Sequence, residues 1–468
     1  MSALELDRSP AVERQLGTEM IQEATYGQRY EIEISVDTFE VEQPSLLFSW
    51  SVRGRSGSHE RYRRRLPETM LDFESARQRF LQMAGPVKTQ VIPLSRALGR
   101  VLAEDIISLA AMPEFDTSAM DGYAVNVDDV VELPCSLPVV GQSPAGSAPA
   151  KLQRNTAMRV FTGAAVPTGA DAVVMQEHVQ RVGQNISIDK PVNRGQNVRK
   201  SGEDLPARAL ALTKGRRLIG PTLSLVSLLD RREVEVAAEP RVAILVTGSE
   251  LRQPGTEPRP GSIVESNGRV IAALVAQAGG LVVQSSIAQD DRSMVQDAIE
   301  GALAVADLLV TVGGVSVGDY DFVRPALQAA GASIELHQVA IKPGMPLTLG
   351  RRGSKAIVAL PGNPASCAIT FALFAMPLLR AWQGDQSPVP IPVTVPLLTT
   401  SIPDRTRTRI LLGGLVERQG TRGFLPHDNQ SSGATLALGH SDGFAILTPS
   451  SEPACAGVQV PYLRFTDL

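Results

Sequence analysis

The chain has 468 residues, a net charge of −4 and a hydrophobic share of 43%. A chain of this length is too long to fold around a single hydrophobic core, so we predict about three or four folded units. Acidic and basic residues are mixed along the chain, which argues against a nucleic-acid-binding protein. Aromatic residues make up only 4% of the chain, so its cores must be built mainly from aliphatic side chains.

The cysteines and the apolar segments indicate a cytoplasmic protein without membrane association. The spacing of the three cysteines, Cys135, Cys367 and Cys455, fits neither a disulfide framework nor a zinc site. No uninterrupted apolar run reaches the roughly 18 residues of a membrane-spanning helix. We also expect no signal peptide, because residues 1–20 lack its hydrophobic core.

Residues 1–69 differ in character from the rest of the chain. Tyr30–Val36 alternates polar and apolar residues as a strand does, and His59–Arg65 is a basic cluster. Such a cluster can bind nucleic acid or a membrane, but it is more often part of a solvated or disordered tail. We assign no function to this extension.

The segment after residue 69 predicts helices that are interrupted by a β-rich insert. Apolar residues between Leu71 and Met83 recur on one face of a helix, and further helices are expected near residues 94–102 and 221–230. Between the helices expected near residues 94–102 and 221–230, short strands such as Ala172–Met175 alternate with glycines and prolines. This pattern indicates an all-β domain inserted into a small helical one.

From Arg241 onward, buried strands alternate with amphipathic helices, which is typical of a doubly wound parallel sheet. Ligands of such sheets bind beyond the carboxyl ends of the strands. We therefore predict a multidomain α/β plus β fold. Its parts are an extension at residues 1–69, a helical linking domain at 70–111 and 206–240, a β-rich insert domain at 112–205, a doubly wound parallel-sheet domain at 241–388 and a C-terminal β-barrel domain at 389–468.

An acidic loop lies at the start of the insert. Met112–Val125 gathers Glu114, Asp116 and Asp121 beside Ser118 in a segment without a helical period. Oxygen ligands in a loop suit a cation or a phosphate ester, whereas an acidic surface loop is the commoner outcome for such a composition. The residues alone leave both interpretations open.

Three further motifs suit anions. Gly313–Gly318 follows a buried strand, so its backbone N–H groups and Ser316 can approach an anion, although a tight turn needs the same glycines. Lys342 stands in a turn stiffened by prolines, and Leu360–Pro364 is a rigid turn before a helix. The chain contains neither a Walker A motif nor a dinucleotide-binding fingerprint.

These motifs, in this order, resemble those of the molybdopterin molybdenumtransferases, a family that includes the gephyrin E domain. The resemblance extends from about Met70 to the C-terminus, so a translation start at Met70 is an alternative explanation of the extension. It implies that residues 241–388 bind molybdopterin. It rests on the segments Ser118–Ala124, Arg199–Asp204, Thr247–Leu251, Thr311–Phe322, Ile341–Pro346 and Leu360–Ser366.

The resemblance implies the last step of molybdenum cofactor synthesis: molybdate is inserted into adenylylated molybdopterin, and AMP is released. Mg²⁺ would neutralise carboxylates that otherwise repel the substrate phosphates. The family also implies a homodimer, and the upstream adenylyltransferase and apo-molybdoenzymes are candidate partners. Metal insertion occurs at sulfur atoms of the substrate, which agrees with a chain that has no cysteine or histidine cluster.

The resemblance also assigns roles to individual residues. Asp290 is open to a second interpretation, because it and Asp291 can cap the following helix. Catalytic roles fall on Asp121, Asp204, Glu250, Asp290, Asp321 and Lys342, among which Glu250, Asp290 and Asp321 would hold Mg²⁺. Substrate-binding roles fall on Thr162, Gly313, Gly314, Ser316, Gly318, Asp319, Pro361, Pro364 and Ser432.

Three positions depart from the family pattern. Ser249 stands where Asp is common, and Gln338 and Met345 stand where Lys is frequent. These losses of charge support a rival hypothesis, a non-catalytic scaffold or cofactor-binding paralogue. A molybdopterin adenylyltransferase-like enzyme is the other rival, but the β insert argues against it, because that enzyme is essentially the α/β domain alone.

Overall fold

The computed structural model describes residues 50–53, 59–62, 70–315, 322–418 and 420–468. The chain forms two compact units, Met1–Met70 and Leu71–Leu468. In the first unit, strand β1 (Trp50–Arg53) pairs antiparallel with β2 (His59–Tyr62). The strand predicted at Tyr30–Val36 lies outside the described residues.

The predicted helix that follows Leu71 is confirmed. After the short strand β3 (Met70–Leu71), the carboxylate of Asp72 accepts hydrogen bonds of 3.0 Å from two backbone N–H groups of the first turn. This cap starts helix α1 (Phe73–Leu81). Phe80 packs on Phe374 with ring centroids 5.3 Å apart, so α1 is anchored on the core of the later α/β segment.

The helix predicted near residues 94–102 is wrong. Only Leu94–Arg96 forms a single 3-10 turn, between β4 (Thr89–Pro93) and β5 (Ile106–Ile107). Gly99 has a φ of 77°, which interrupts a right-handed helix. Leu102 then forms a strand-type bridge with Val236, and its apolar cluster contains residues of the paired strands together with Val226 of the helix that follows the insert.

Short strands build the insert, which includes the one predicted at Ala172–Met175. Six of them form one sheet in the order β10-β7-β9-β8-β12-β11, and β13 pairs with β6. Its core contains Tyr123, Leu137 and Ile186. The strands are β6 (Thr117–Ser118), β7 (Gly122–Val125), β8 (Cys135–Ser143), β9 (Ala157–Val160), β10 (Ala172–Met175), β11 (Val179–Val182), β12 (Asn185–Ile188) and β13 (Val198–Arg199).

After the insert, the chain returns to the strands that precede it. Strand β14 (Leu210–Leu212) pairs with β5, and β15 (Glu233–Ala237) pairs with β4. Between them lies helix α2 (Gly220–Leu228), close to the predicted bounds. Leu102, Leu218 and Val236 belong to the small core of this segment.

The α/β segment contains a six-stranded sheet with helices on both faces. Alternate residues of its first strand point to opposite cores: Ile244 belongs to one apolar cluster and Leu245 to the other. The elements are β16 (Arg241–Thr247), β17 (Leu251–Arg252), β18 (Ile263–Val264), α3 (Asn267–Gln277), β19 (Leu281–Ala288), α4 (Arg292–Val305), β20 (Leu308–Val312), α5 (Val323–Ala329), β21 (Ser333–Leu336), β22 (Gln338–Val339), β23 (Ile341–Lys342), β24 (Thr348–Arg352), β25 (Lys355–Leu360) and α6 (Pro364–Trp382).

This sheet is mixed, so the prediction of a purely parallel sheet requires correction. Its order is β19-β16-β20-β25-β24-β21; the first four strands are parallel, and β24 and β21 are antiparallel to their neighbours. Arg352 pairs directly with Lys355, so two residues connect β24 to β25. Such a short connection permits only antiparallel pairing, and Gly353, with φ of 60°, supplies the positive φ of the turn.

Helix α6 runs through the core of the α/β segment. It has 19 residues and is long and apolar enough, by length and composition alone, to cross a membrane. In the fold, however, 89% of its apolar window is buried inside the protein. Its middle is a π-helical turn at Phe371–Ala375, and both phenylalanines there are fully buried. Such burial is typical of a helix in the core of a protein.

The C-terminal segment forms a sheet in the order β23-β27-β29-β30-β26, and β28 pairs with β27. Leu397, just after β26, makes a bridge with Phe424 in β28, so the two sides of the sheet meet. Phe424 and Tyr462 are buried in its core. The elements are β26 (Val393–Pro396), β27 (Thr408–Arg418), β28 (Thr421–Pro426), α7 (Thr435–His440), β29 (Gly443–Leu447) and β30 (Gln459–Arg464).

Candidate functional site

Three strand ends meet at one edge of the mixed sheet. Strands β16, β20 and β25 are parallel, so Thr247, Gly313 and Leu360 lie at their carboxyl ends. The N–H of Gly313 donates to the carbonyl of Leu360 over 3.1 Å. A Cβ atom on Gly313 would lie 2.8 Å from the carbonyl oxygen of Thr247, and its φ is 90°. Gly313 is therefore needed for close backbone approach, and its own N–H is already used.

Gly314 also lies at this sheet edge, in a position that only glycine fits. Its φ is 61°, and a Cβ atom there would lie 2.7 Å from Val323 Cγ2. The next predicted site residues, Ser316, Gly318, Asp319 and Asp321, lie outside the described residues. The described part of this loop thus contributes a tight turn that starts at the sheet edge.

Ser249 and Asp290 are joined by two hydrogen bonds. The N–H of Ser249 donates to Asp290 Oδ2, and the N–H of Asp290 donates to Ser249 Oγ, both over 3.0 Å. The helix cap is Asp291, whose Oδ1 accepts from the N–H groups of Ser293 and Met294 at 2.9 and 3.0 Å. Asp291 is therefore the residue of this pair that caps the helix, whereas Asp290 lies at the sheet edge and is bonded to Ser249.

Glu250 follows Ser249 and has an exposed side chain. Glu250 and Asp290 are the two predicted Mg²⁺ ligands that lie among the described residues, whereas the third, Asp321, does not. Within residues 70–315, 322–418 and 420–468, no group of three or more His, Cys, Asp or Glu side chains forms a ready metal site. Mg²⁺ commonly takes one or two carboxylates together with water and substrate phosphates, so the donor pair fits this ion.

The turn before α6 connects the sheet edge to the C-terminal segment. Pro361 is buried, and Pro364 is the first residue of α6. Asn363 Nδ2 donates to Ser432 Oγ over 2.8 Å, and the carbonyl of Ser432 accepts from the N–H of Ala365 at 3.1 Å. This arrangement brings the predicted substrate-binding residue Ser432 to the turn.

Asn267 is a residue of this edge that sequence reasoning missed. Its Nδ2 donates to the carbonyl of Gly362 over 2.7 Å, and its Oδ1 is buried without a hydrogen-bond partner among the described residues. A Cβ atom on Gly362 would lie 3.5 Å from Gly313 Cα, so Asn267 supports the contact between the two turns. Its place at the start of a helix after a strand was the signal available in the sequence.

Lys342 faces a second pair of residues that the sequence analysis missed. Its Nζ lies 3.9 Å from Asp404 Oδ2, and Arg407 Nη2 lies 2.8 Å from the same oxygen. Burial opposes ionisation of Asp404, but hydrogen bonds from Arg407 and Thr406 outweigh it and lower the pKa to about 2. Asp404 is therefore ionised at neutral pH and holds Lys342 beside Arg407.

The acidic loop of the insert forms a separate cluster. Asp121 Oδ1 accepts from the N–H of Thr162 at 2.8 Å and from its hydroxyl at 2.9 Å. These two bonds, led by the backbone one, lower the pKa of the exposed Asp121 carboxyl. Asp204 forms an ion pair with Arg199. The contacts that the structure gives Asp121, Thr162 and Asp204 all lie within the insert, so it does not join them to the sheet edge.

Two family models match the chain. One is described as the MoeA N-terminal region (domain I and II) and matches residues 71–229; the other is described as a probable molybdopterin binding domain and matches residues 243–381. Together they cover the helical segments, the insert and most of the α/β segment.

Related proteins extend the similarity further. Molybdopterin molybdenumtransferase 2 of Mycobacterium tuberculosis is 39% identical over 307 residues, which are 64% of this chain and 76% of that protein. The molybdopterin molybdenumtransferase of Bacillus subtilis is 31% identical over 408 residues, which are 85% of this chain and 95% of that protein. A molybdopterin biosynthesis MoeA protein of Pyrococcus horikoshii is similar in structure, with a TM-score of 0.73 at 28% identity, over 85% of this chain and 100% of that one.

Proposed function

Because the chain belongs to the molybdopterin molybdenumtransferase family and has a role in molybdenum cofactor biosynthesis, we propose that it inserts molybdate into adenylylated molybdopterin and releases AMP. The observation that carries the proposal is the sheet edge, where the turns at Ser249, Gly313 and Pro361 come together. Ligands of open α/β sheets bind at such an edge. The order of the family motifs along the chain supports the same assignment.

The described residues suit a reaction in which the protein holds anions and supplies no nucleophile. Lys342 offers a positive charge, and Ser432 offers a hydroxyl beside the turn of Asn363. Such groups stabilise charge that develops on a phosphoanhydride when they are fixed in advance. Asp404 and Asn363 provide that fixation through the contacts described above.

Glu250 and Asp290 would hold Mg²⁺ together with Asp321. When bound there, the ion would neutralise the substrate phosphates and polarise the phosphoanhydride. The Ser249–Asp290 hydrogen bonds would keep one carboxylate oriented toward this position. Ser249, which departs from the family pattern, therefore retains a supporting role.

A homodimer would complete the site. Asp121, Thr162 and Asp204 make their contacts within the insert, whereas Glu250, Asp290 and Lys342 stand on other segments. We propose that the insert of a second copy faces the sheet edge of the first, which brings both groups to one cleft. An experiment with mixed dimers of an Asp121→Asn and a Glu250→Gln chain tests this arrangement, because one intact site per dimer would restore about half of the activity.

We also propose the domain layout given by the sequence: a helical linking domain at residues 70–111 and 206–240, an insert at 112–205, a molybdopterin-binding domain at 241–388 and a β-barrel at 389–468. The bridge between Leu397 and Phe424 supports a closed barrel. All three cysteines are free thiols, which suits the cytoplasm as the place of the reaction.

Restoration of molybdoenzyme activity in a strain that lacks the transferase separates this function from its rivals. The full chain should restore the activity, and Asp290→Asn should not. A non-catalytic scaffold, favoured by Gln338 and Met345, would restore none although it is expressed. An adenylyltransferase-like enzyme would instead restore activity in a strain that lacks the preceding step. The match to the MoeA N-terminal region argues against this outcome.

A further inference from the structure

A cleft of about 610 Å³, lined by both polar and apolar residues, opens in the C-terminal segment. Its volume lies within the range of roughly 300–1,000 Å³ that is usual for small-molecule sites. Arg409, Arg418 and His427 line it, together with the hydroxyl-bearing residues Thr400 and Ser401. None of the lining residues is a candidate site residue of the proposed transferase.

The charge of this cleft favours an anion. Among the described residues, neither Arg409 nor Arg418 forms an ion pair with a carboxylate. Arg409 Nη1 donates to the carbonyl of Ile402, which fixes the guanidinium at the wall of the cleft. Asp428 is the one carboxylate of the lining. Guanidinium groups that lack an acidic partner are suited to phosphate and similar oxyanions, which they bind through two parallel N–H groups.

His427 supplies a second observation that points to a ligand. Its ring Nε2 is buried and has no hydrogen-bond partner within the described part of the chain. Its backbone is fixed, because its N–H donates to the carbonyl of Leu412 over 2.9 Å and its carbonyl accepts from Gln430 Nε2 at 2.7 Å. Buried polar atoms normally have a partner, and because His427 lines the cleft, a rotation of its ring would bring Nε2 to an oxygen of a bound anion.

We propose that this cleft is a second anion site, which binds a tetrahedral oxyanion either as a free ion or as the phosphate group of a nucleotide. Lys342 stands opposite Arg409 in the register of β23 and β27. The cleft therefore begins beside the lysine of the proposed transferase site, which is the first anion site. Arg418 and His427 would bind the oxyanion directly, and the hydroxyls of Thr400 and Ser401 would donate to its remaining oxygens.

Isothermal titration calorimetry of the full chain tests the proposal with three separate ligands: molybdate, inorganic phosphate and AMP. Arg418→Gln and His427→Gln should each weaken the binding of at least one ligand by about tenfold or more, the usual effect of a lost charge-assisted contact. Arg422→Gln is the matched control, because Arg422 is an exposed arginine of the neighbouring strand that does not line the cleft. Its affinities should equal those of the wild type.

The three titrations also distinguish the source of the anion. Binding of molybdate or phosphate alone identifies a free oxyanion, and binding of AMP alone identifies a nucleotide phosphate; either result, if weakened by Arg418→Gln, supports the site. The proposal is overturned if no ligand binds, or if Arg418→Gln and His427→Gln leave every affinity unchanged.

Repeating the titrations in a Lys342→Ala chain separates the two anion sites. Binding that persists in this variant and still depends on Arg418 belongs to the cleft, even if the chain has no transferase activity. Complete loss of binding in Lys342→Ala would assign the anion to the first site and contradict the second.

Discussion

Ser249 and Asp290 exchange two backbone-to-side-chain hydrogen bonds of 3.0 Å, which tie the turn after β16 to the loop before α4. The neighbouring Asp291 makes no part of this exchange and instead caps α4. Two adjacent carboxylates thus have different structural tasks, and their substitution should have different consequences.

Asp290→Asn should abolish most of the transferase activity and leave the fold nearly as stable, because the amide keeps an oxygen but loses the charge that a metal or substrate requires. Asp291→Ala should do the reverse: it removes a helix cap and costs about 1 kcal/mol of unfolding free energy. Urea denaturation and AMP release, measured on both variants, check this contrast. Equal loss of activity in the two variants would remove the special role of Asp290.

Glu250→Gln and Asp121→Asn should lower activity far more than stability. Both side chains are exposed, and exposed carboxylates contribute little to folding. Glu257→Gln, in the exposed loop after β17, is the matched control for charge. The expected result is an unchanged Tm for all three variants and loss of cofactor formation for the first two. Full activity of Glu250→Gln would exclude it as a metal ligand.

Gly313→Ala should destabilise the protein more than Gly255→Ala. Both glycines have a positive φ, 90° and 81°, which an alanine adopts at a penalty of roughly 1–2 kcal/mol. Only Gly313 adds a clash, since its Cβ would lie 2.8 Å from the carbonyl of Thr247, whereas Gly255 has open space. Equal unfolding free energies for the two variants would contradict the close approach at the sheet edge.

Asp404 should make the stability of the protein depend on pH in the acidic range. Its folded pKa of about 2 lies below the ordinary value of 3.8, so its stabilising contribution is present above about pH 4 and is lost as the pH falls toward 2. The difference in Tm between wild type and Asp404→Asn should therefore be largest above pH 4 and shrink toward pH 2. A difference that does not change with pH would contradict the ion pair with Arg407.

A chain that begins at Met70 should fold and remain active, because residues 1–70 form a unit of their own. The measurements are size-exclusion chromatography and the transferase assay, with the full chain as control. Loss of activity or of dimers on this truncation would show that the extension has a function.

Local sequence signals predicted much of the fold. The apolar run of Arg241–Val246 predicted a buried strand, and the apolar face between Leu71 and Met83 predicted α1; both are present. The helix near residues 94–102 failed because Gly99 interrupts it and because its apolar residues pack against strands from the return segment. Tertiary pairing of that kind leaves no local pattern.

Within the candidate site, the sequence predicted local structure where a motif determines its own backbone conformation. The glycines at 313 and 314 follow a strand and indeed form a tight turn at its end. Asp404 was not predictable, because its contact with Lys342 depends on the pairing of β23 with β27, which are far apart in the sequence. The antiparallel edge of the sheet was missed for a similar reason: the short turn at Gly353, and not the alternation of strands and helices, sets the direction of β24.

The most direct test of the central claim is the molybdate-dependent release of AMP from adenylylated molybdopterin by the purified full chain in the presence of Mg²⁺. Chromatographic quantification of AMP, together with reconstitution of an apo-molybdoenzyme, should give one AMP for each cofactor formed, and Asp290→Asn should give neither. Binding of the adenylylated substrate without AMP release, at any molybdate concentration, would contradict the claim and identify a scaffold.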